Sequence, residues 1–192
     1  VISPHSPTEQ YREFAEIPPA WMEGGQMRFF LGTDYAGRDM LSRIIHGARL
    51  SLIAGCIVVL MSASIGVLLG LVAGFRGGWV ETIIMRIMDT IMAVPGLLMA
   101  LVLVAVLGPG LLNAMVAIAI TYTPSFVRLT RASTMTELNK DYVTASKVAG
   151  AGPMPLMFIS ILPNCMAPLI VQGTLSFSTA ILDTAALGFL GM

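Results

Sequence analysis

The chain has 192 residues, 56% of them hydrophobic and 11% charged, with a mean hydropathy of +0.82. Soluble domains carry roughly a quarter charged residues, so this composition excludes an ordinary water-soluble domain and calls for a lipid bilayer as its partner. Eleven basic and eleven acidic residues cancel, which removes the electrostatic basis for binding nucleic acid.

Residues 1–30 are rich in proline, acidic and aromatic residues (Pro4, Pro7, Pro18, Pro19, Tyr11, Phe14, Trp21) and have neither a helical nor an alternating period. They read as an irregular aqueous segment. Asp39 is placed to cap a helix in which Met40, Ile44 and Ile45 share a face while Arg38, Arg43 and Arg49 lie elsewhere. This predicts an interfacial helix leading into the bilayer, so that residues 1–49 form an extracytoplasmic segment and 50–192 a transmembrane domain.

Leu50 to Phe75 contains no charge; at 1.5 Å per residue it makes about 39 Å of helix, enough to cross a hydrocarbon core of about 30 Å with tilt. Ser62, Gly66, Gly70 and Gly74 recur every fourth residue along it. Such a stripe lets a second helix approach closely, and that helix belongs either to this chain or to another subunit. After an interfacial turn at Arg76-Gly77-Gly78-Trp79 come Glu81, Arg86 and Asp89. Arg86 and Asp89, three residues apart, are expected to pair on one helix face.

The uncharged stretch from Thr90 to Val127 is too long for one helix, and Gly108-Pro109-Gly110 divides it. Two further spans follow, at about 87–107 and 111–127, with Pro95 and Pro124 as tolerated kinks. A polar loop over 128–163 holds Arg128, Arg131, Glu137, Lys140, Asp141 and Lys147, a density of charge that hydrocarbon does not accept. Asp141 is expected to cap a short helix through Val148 that Gly150 and Gly152 terminate. Leu156–Leu162 then reads as a second short helix before Pro163.

The fourth span, about 164–182, carries Gln172, Thr174, Ser176 and Ser178 and is followed by Asp183. Gln172, Ser176 and Asp183 either line a translocation path or serve interhelical hydrogen bonds. The overall expectation is an all-α polytopic helix bundle of four visible spans. Near the span ends six basic residues (Arg76, Arg86, Arg128, Arg131, Lys140, Lys147) face three (Arg38, Arg43, Arg49), or five when Arg12 and Arg28 are counted. The excess places the central loop in the cytoplasm.

The motifs resemble a known family. Thr144-Ala145-Ser146, Gly150 and Leu162-Pro163 resemble the EAA loop of bacterial ABC-importer permeases, although Thr144 stands for the usual Glu, Ser146 for the second Ala and Ser160 where Ile is expected. Leu31-Gly32-Thr33-Asp34, Gly37-Arg38-Asp39, Leu41-Ser42-Arg43 and Gly47-Ala48-Arg49 are similar to the second permease subunit of the dipeptide/oligopeptide/nickel branch. Within that branch Pro18-Pro19-Ala20-Trp21 resembles the dipeptide permeases, and Asp183 with Thr184-Ala185-Ala186-Leu187-Gly188-Phe189-Leu190-Gly191 resembles the family's acidic residue and Leu-Gly-Phe-Leu-Gly segment at the far end of the fourth span.

The resemblance covers the whole chain. It implies the transmembrane domain of a type I ABC importer in the bacterial inner membrane, lacking its first and last membrane helices here. It also implies as partners a second homologous permease, two cytoplasmic ATPases that bind the ATP, and an extracytoplasmic solute-binding protein. The ATPase-coupling residues are then Asp141, Tyr142, Thr144, Ala145, Ser146, Lys147, Gly150, Gly152 and Pro163.

The chain has no Gly-x-x-x-x-Gly-Lys-[Ser/Thr] loop, so no ATP site or other cofactor of its own is expected. Cys56 and Cys165 lie in apolar runs without Cys-x-x-Cys spacing, and His5 and His46 are isolated. No metal site and no catalytic residue is expected. The alternatives are an ion- or proton-coupled carrier using Asp89 or Asp183, against which the sequence has no visible inverted repeat, and a membrane scaffold without transport.

Overall fold

The computed structural model describes residues 3–189, which form two compact units divided between Ile53 and Ala54. Six helices carry the architecture: α1 (Met40–Arg76), α2 (Gly78–Met92), α3 (Gly96–Leu107), α4 (Leu111–Leu138), α5 (Asp141–Val148) and α6 (Pro153–Phe189). The described residues contain no strand beyond an isolated bridge between Thr33 and Asp39. The chain is an all-α membrane-spanning protein: α1, α4 and α6 are each long and apolar enough to cross a bilayer, and α2 with α3 pass the same test as a bent pair.

The first unit is irregular but ordered by an aromatic knot. Phe29 is fully buried, with the rings of His5, Tyr11 and Phe14 centred 5.2–5.7 Å away and the Arg28 guanidinium 4.9 Å from the Tyr11 ring centre. Asp39 caps α1 as expected: its Oδ2 accepts the Ser42 amide at 3.2 Å and the Ser42 hydroxyl, and it lies 3.2 Å from His5 Nδ1. Burial pushes the Asp39 carboxyl up, but the hydrogen bonds from Ser42 and His5 outweigh it and hold the group below its ordinary value of 3.8.

Folding therefore favours the ionised carboxylate. The stability it contributes is complete above that ordinary value and is lost as pH falls through the depressed one. Hydrogen exchange at the Ser42 and His5 amides is expected to stay flat in its protection down to about pH 4 and to lose protection below it. In Asp39→Asn this acid step should vanish; a step of unchanged size in that variant would show that Asp39 is not its source.

The structure corrects four boundaries of the sequence reading. No separate interfacial helix precedes the span at residue 50, because α1 runs unbroken from Met40; the capped segment has no proline or glycine pair at which to stop. The span expected at 87–107 is two helices bent by 91°. Pro95 has no N–H to donate and disfavours helix at Val94, so α2 ends at Met92 and Pro95 becomes the N-cap of α3.

The span expected at 111–127 continues as α4 to Leu138, which moves Arg128 and Arg131 out of the loop and onto a helix. Pro124 stays buried inside it, with the Thr121 and Thr123 hydroxyls bonding the carbonyls of Ile118 and Ala119. Lastly, Leu156–Leu162 is not an independent helix but lies within the first turns of α6, which begins at Pro153.

Two apolar layers hold the second unit together. One is built largely of small residues, with Ala54, Ala100, Ala114, Ala117, Ala119 and Ala180 around Val58, Val104 and Ile118, so α1, α3, α4 and α6 pack closely. The other gathers Leu71, Phe126, Val143, Leu156, Met157, Ile161, Cys165 and Leu169 beneath α5.

Candidate functional site

Helix α5 is short, and eight residues do not hold a helix in water without help. Val143 supplies it: this side chain is fully buried and pins the helix to the second apolar layer. At the amino end, Lys140 is the N-cap residue and Asp141 the first helical one, with no side-chain capping bond. The capping role expected of Asp141 is thus corrected; its carboxylate favours the helix through the dipole instead.

The carboxyl end closes through a paired motif. The Gly150 amide bonds the Lys147 carbonyl and the Ala151 amide bonds the Ser146 carbonyl, each at 3.0 Å, with Gly150 at φ +87°. This is the Schellman arrangement, which a residue with a Cβ adopts only with strain. Gly152 then serves as N-cap for Pro153, the first residue of α6.

With Val143 inward, α5 turns Asp141, Thr144, Ala145, Lys147 and Val148 to solvent; Ser146 is half-buried and bonds back to the Tyr142 carbonyl at 2.9 Å. Val148, on the outer side of α5, is 85% exposed, and Met154 and Ile159 in the first turns of α6 are 66% and 74% exposed. The sequence reading missed these three residues, since apolar side chains in a chain this hydrophobic do not stand out.

Tyr142 ties three elements. Its hydroxyl donates to Glu137 Oε2 of α4 at 2.7 Å and accepts from Asn164 Nδ2 of α6 at 3.2 Å, while Asn164 also bonds the Ser160 carbonyl at 2.7 Å. Burial, then the hydrogen bond and negative charge of Glu137, push the Tyr142 phenol up to about 12, so it remains a donor at physiological pH. Glu137 and Asn164 carry no sequence signal for this role, because their link to Tyr142 crosses two helix ends.

Pro163 acts on the backbone. It cannot donate to the preceding turn, and α6 passes through a π turn over Leu156–Ile161 and a 3-10 turn over Leu162–Cys165 before regular α geometry resumes at Met166. The structure thus puts an irregular, register-shifting segment next to α5, where the sequence suggested a hinged second helix.

The glycine stripe of α1 lies against α4 of the same chain. A Cβ built on Gly66 would sit 2.4 Å from the Phe126 Cβ, on Gly70 2.6 Å from both the Thr130 Cβ and the Val127 carbonyl oxygen, and on Gly74 2.8 Å from the Arg131 carbonyl oxygen. Ser62, fully buried in the same stripe, returns its hydroxyl to the Val58 carbonyl at 2.8 Å.

Charged contacts between α2 and α4 flank this seam. Asp89 Oδ1 accepts from the Arg128 guanidinium at 2.6 Å, and Glu81 pairs with Arg131. The pairing expected between Arg86 and Asp89 is therefore corrected: once Arg128 belongs to α4, it reaches Asp89 across the helix pair.

On α6, Gln172 Nε2 donates to Ser176 Oγ at 3.1 Å, and Asp183 Oδ2 accepts the Tyr122 hydroxyl of α4 at 2.9 Å. Leu190 and Gly191 of the terminal motif lie outside the described residues.

Comparison with known proteins gives concordant results. The family profile "Binding-protein-dependent transport system inner membrane component" matches residues 66–192. The di/tripeptide transport system permease protein DppC of Pseudomonas aeruginosa is 62% identical over 191 residues, covering all of this chain and 63% of that protein. The dipeptide transport system permease proteins DppC of Haemophilus influenzae and Escherichia coli K12 are 57% and 60% identical, again over this whole chain and over 65% and 64% of their own lengths. The chain thus spans a little under two thirds of the relatives it matches.

Proposed function

We infer the function from the family to which this chain belongs, the inner-membrane components of binding-protein-dependent transport systems: it is a permease subunit of an ATP-driven importer of short peptides, dipeptides first among them. The family is one of transport components rather than of catalysts. The cargo follows from the names of the relatives, which are di/tripeptide and dipeptide permeases. In this reading the chain pairs with a second homologous permease, receives peptide from an extracytoplasmic binding protein and takes no cofactor itself, the ATP being held by two cytoplasmic ATPase subunits.

One observation carries the coupling: α5 stands on its buried Val143 with Asp141, Thr144, Ala145, Lys147 and Val148 turned outward, and Tyr142 bolts it to both α4 and α6. A force on its outer face reaches two spanning helices at once. The irregular turns before Met166 give α6 a place to yield, so that the bundle can exchange between two packings biased by nucleotide.

The test uses the complete transporter in lipid vesicles. Ala145→Trp adds bulk on an exposed face without touching the chain's own core, and should lower ATP-dependent dipeptide uptake tenfold or more and reduce co-purification of the ATPases. Uptake at the parental rate would remove α5 from the coupling path. Uptake that an uncoupler abolishes and ATP depletion spares would instead identify a secondary carrier.

A further inference from the structure

Length and composition allow α2 and α3, bent by 91°, to be one broken span. The ion pairs with α4 favour a different place for α2. Glu81 and Asp89 are eight residues apart, about 12 Å along a helix, yet their partners Arg131 and Arg128 are three residues apart, about 4.5 Å along α4. A helix running alongside α4 would find partners spaced as widely as its own residues. Helix α2 therefore crosses α4 steeply and changes depth little along its length.

That depth is the edge of the hydrocarbon. Arg76 ends the uncharged run of α1, and a Cβ on Gly74 would sit 2.8 Å from the Arg131 carbonyl oxygen, which sets Arg131 level with the last turn of α1. Arg128, one turn further in, is the first charge on α4 after the uncharged run that begins at Thr90. Together with Glu81, Arg86 and Asp89 these arginines form a belt of charge that hydrocarbon does not accept.

The surface of α2 is divided to match. At 3.6 residues per turn Glu81, Asp89 and the buried Met88 face α4. Trp79, Ile83 and Ile87 make an apolar stripe, each more than half exposed, and the exposed Thr82, Arg86 and Thr90 make a polar one beside it. Arg86 has no carboxylate partner among the described residues. A helix lying in a membrane surface shows this pattern, with one side among acyl chains and a basic side at the headgroups. Tryptophan is enriched at the same level.

We propose that α2 is an interfacial helix in the leaflet on the α5 side of the bilayer, with Trp79, Ile83 and Ile87 set among acyl chains and Arg86 binding a phospholipid phosphate. Phosphate is the anion that every phospholipid places at this depth, and a guanidinium offers it two parallel N–H donors.

Depth along the helix separates this arrangement from a span. Spin labels on Trp79→Cys, Ile83→Cys and Ile87→Cys, each in a Cys56→Ala chain, are read in the complete transporter with cysteine-free partner subunits; the remaining Cys165 is buried. In phosphatidylethanolamine–phosphatidylglycerol vesicles, relative accessibility to oxygen and to a water-soluble nickel chelate reports the depth of each label. The three labels should meet oxygen at depths that agree within about 5 Å, one helical turn. A steady change of about 12 Å from position 79 to position 87 would make α2 part of a span and overturn the proposal. Labels that meet the chelate alone, or neither reagent, overturn it as well, since water or another protein then covers the face. Any two positions fix the slope, so one variant that fails to assemble leaves the result readable.

The phosphate contact is read by native mass spectrometry of the purified complex titrated with phosphatidylglycerol. Arg86→Gln should weaken lipid retention threefold or more, and Arg86→Lys should stay within about twofold of the parent. Unchanged retention in Arg86→Gln, or equal loss in Arg86→Lys, removes Arg86 as a phosphate ligand.

Discussion

Gly70→Leu should leave no correctly assembled bundle. A Cβ at this position falls 2.6 Å from the Thr130 Cβ and 2.6 Å from the Val127 carbonyl oxygen, so the first atom of any side chain already overlaps α4. Overpacked cores usually cost about 1–3 kcal/mol because side chains rotate out of the way. Here half of the obstacle is the backbone of α4, which does not rotate.

Relief therefore means moving α4 away from α1, and that motion opens the contacts at Gly66 and Gly74 together. Without a hydrophobic force between helices in lipid, close packing is most of what holds them. The expected result is loss of the monodisperse complex on extraction and size-exclusion chromatography. Gly47→Leu is the control, since a Cβ there meets nothing within 4 Å. Parental yield and melting temperature for Gly70→Leu would show that α1 and α4 do not touch along this line.

Arg131→Glu is the second large effect. Glu81 and Arg131 are 20% and 30% exposed, so the pair is screened less than a surface pair. Reversing one charge sets two carboxylates against each other and leaves Glu81 without its donor. A lost charged hydrogen bond is worth about 1.5–3 kcal/mol, and repulsion adds to it. Adding Glu81→Arg restores opposite signs with the positions exchanged.

The single variant should lose most of its assembled complex, and the double variant should regain at least half. Melting temperatures of the three complexes provide the double-mutant comparison. A double variant no better than the single one would mean that the two side chains do not interact. Asp89 and Arg128, 49% and 44% exposed, should give a much smaller effect under the same exchange.

Much of this molecule was legible in the chain because lipid is a severe selector. Hydrocarbon rejects charge at every position, so Leu50–Phe75 and the uncharged stretch from Thr90 to Val127 announce spans without reference to any partner. The Gly108-Pro109-Gly110 break, the Asp39 cap and the four-residue spacing of small residues are equally local, and local rules locate them. The outward residues of α5 were named from the Thr144-Ala145-Ser146 and Gly150 pattern, while Val148, Met154 and Ile159 were hidden among so many other apolar residues.

Partnership, by contrast, was settled only in three dimensions. The sequence places Arg86 next to Asp89, yet the rigid geometry of α4 carries Arg128 and Arg131 to α2. Nothing local joins Tyr122 to Asp183, sixty-one residues apart, or Tyr142 to Asn164. Composition and period describe what one stretch of chain tolerates around itself. Which two stretches meet depends on the positions and tilts of whole helices, and these are fixed by every contact in the bundle at once.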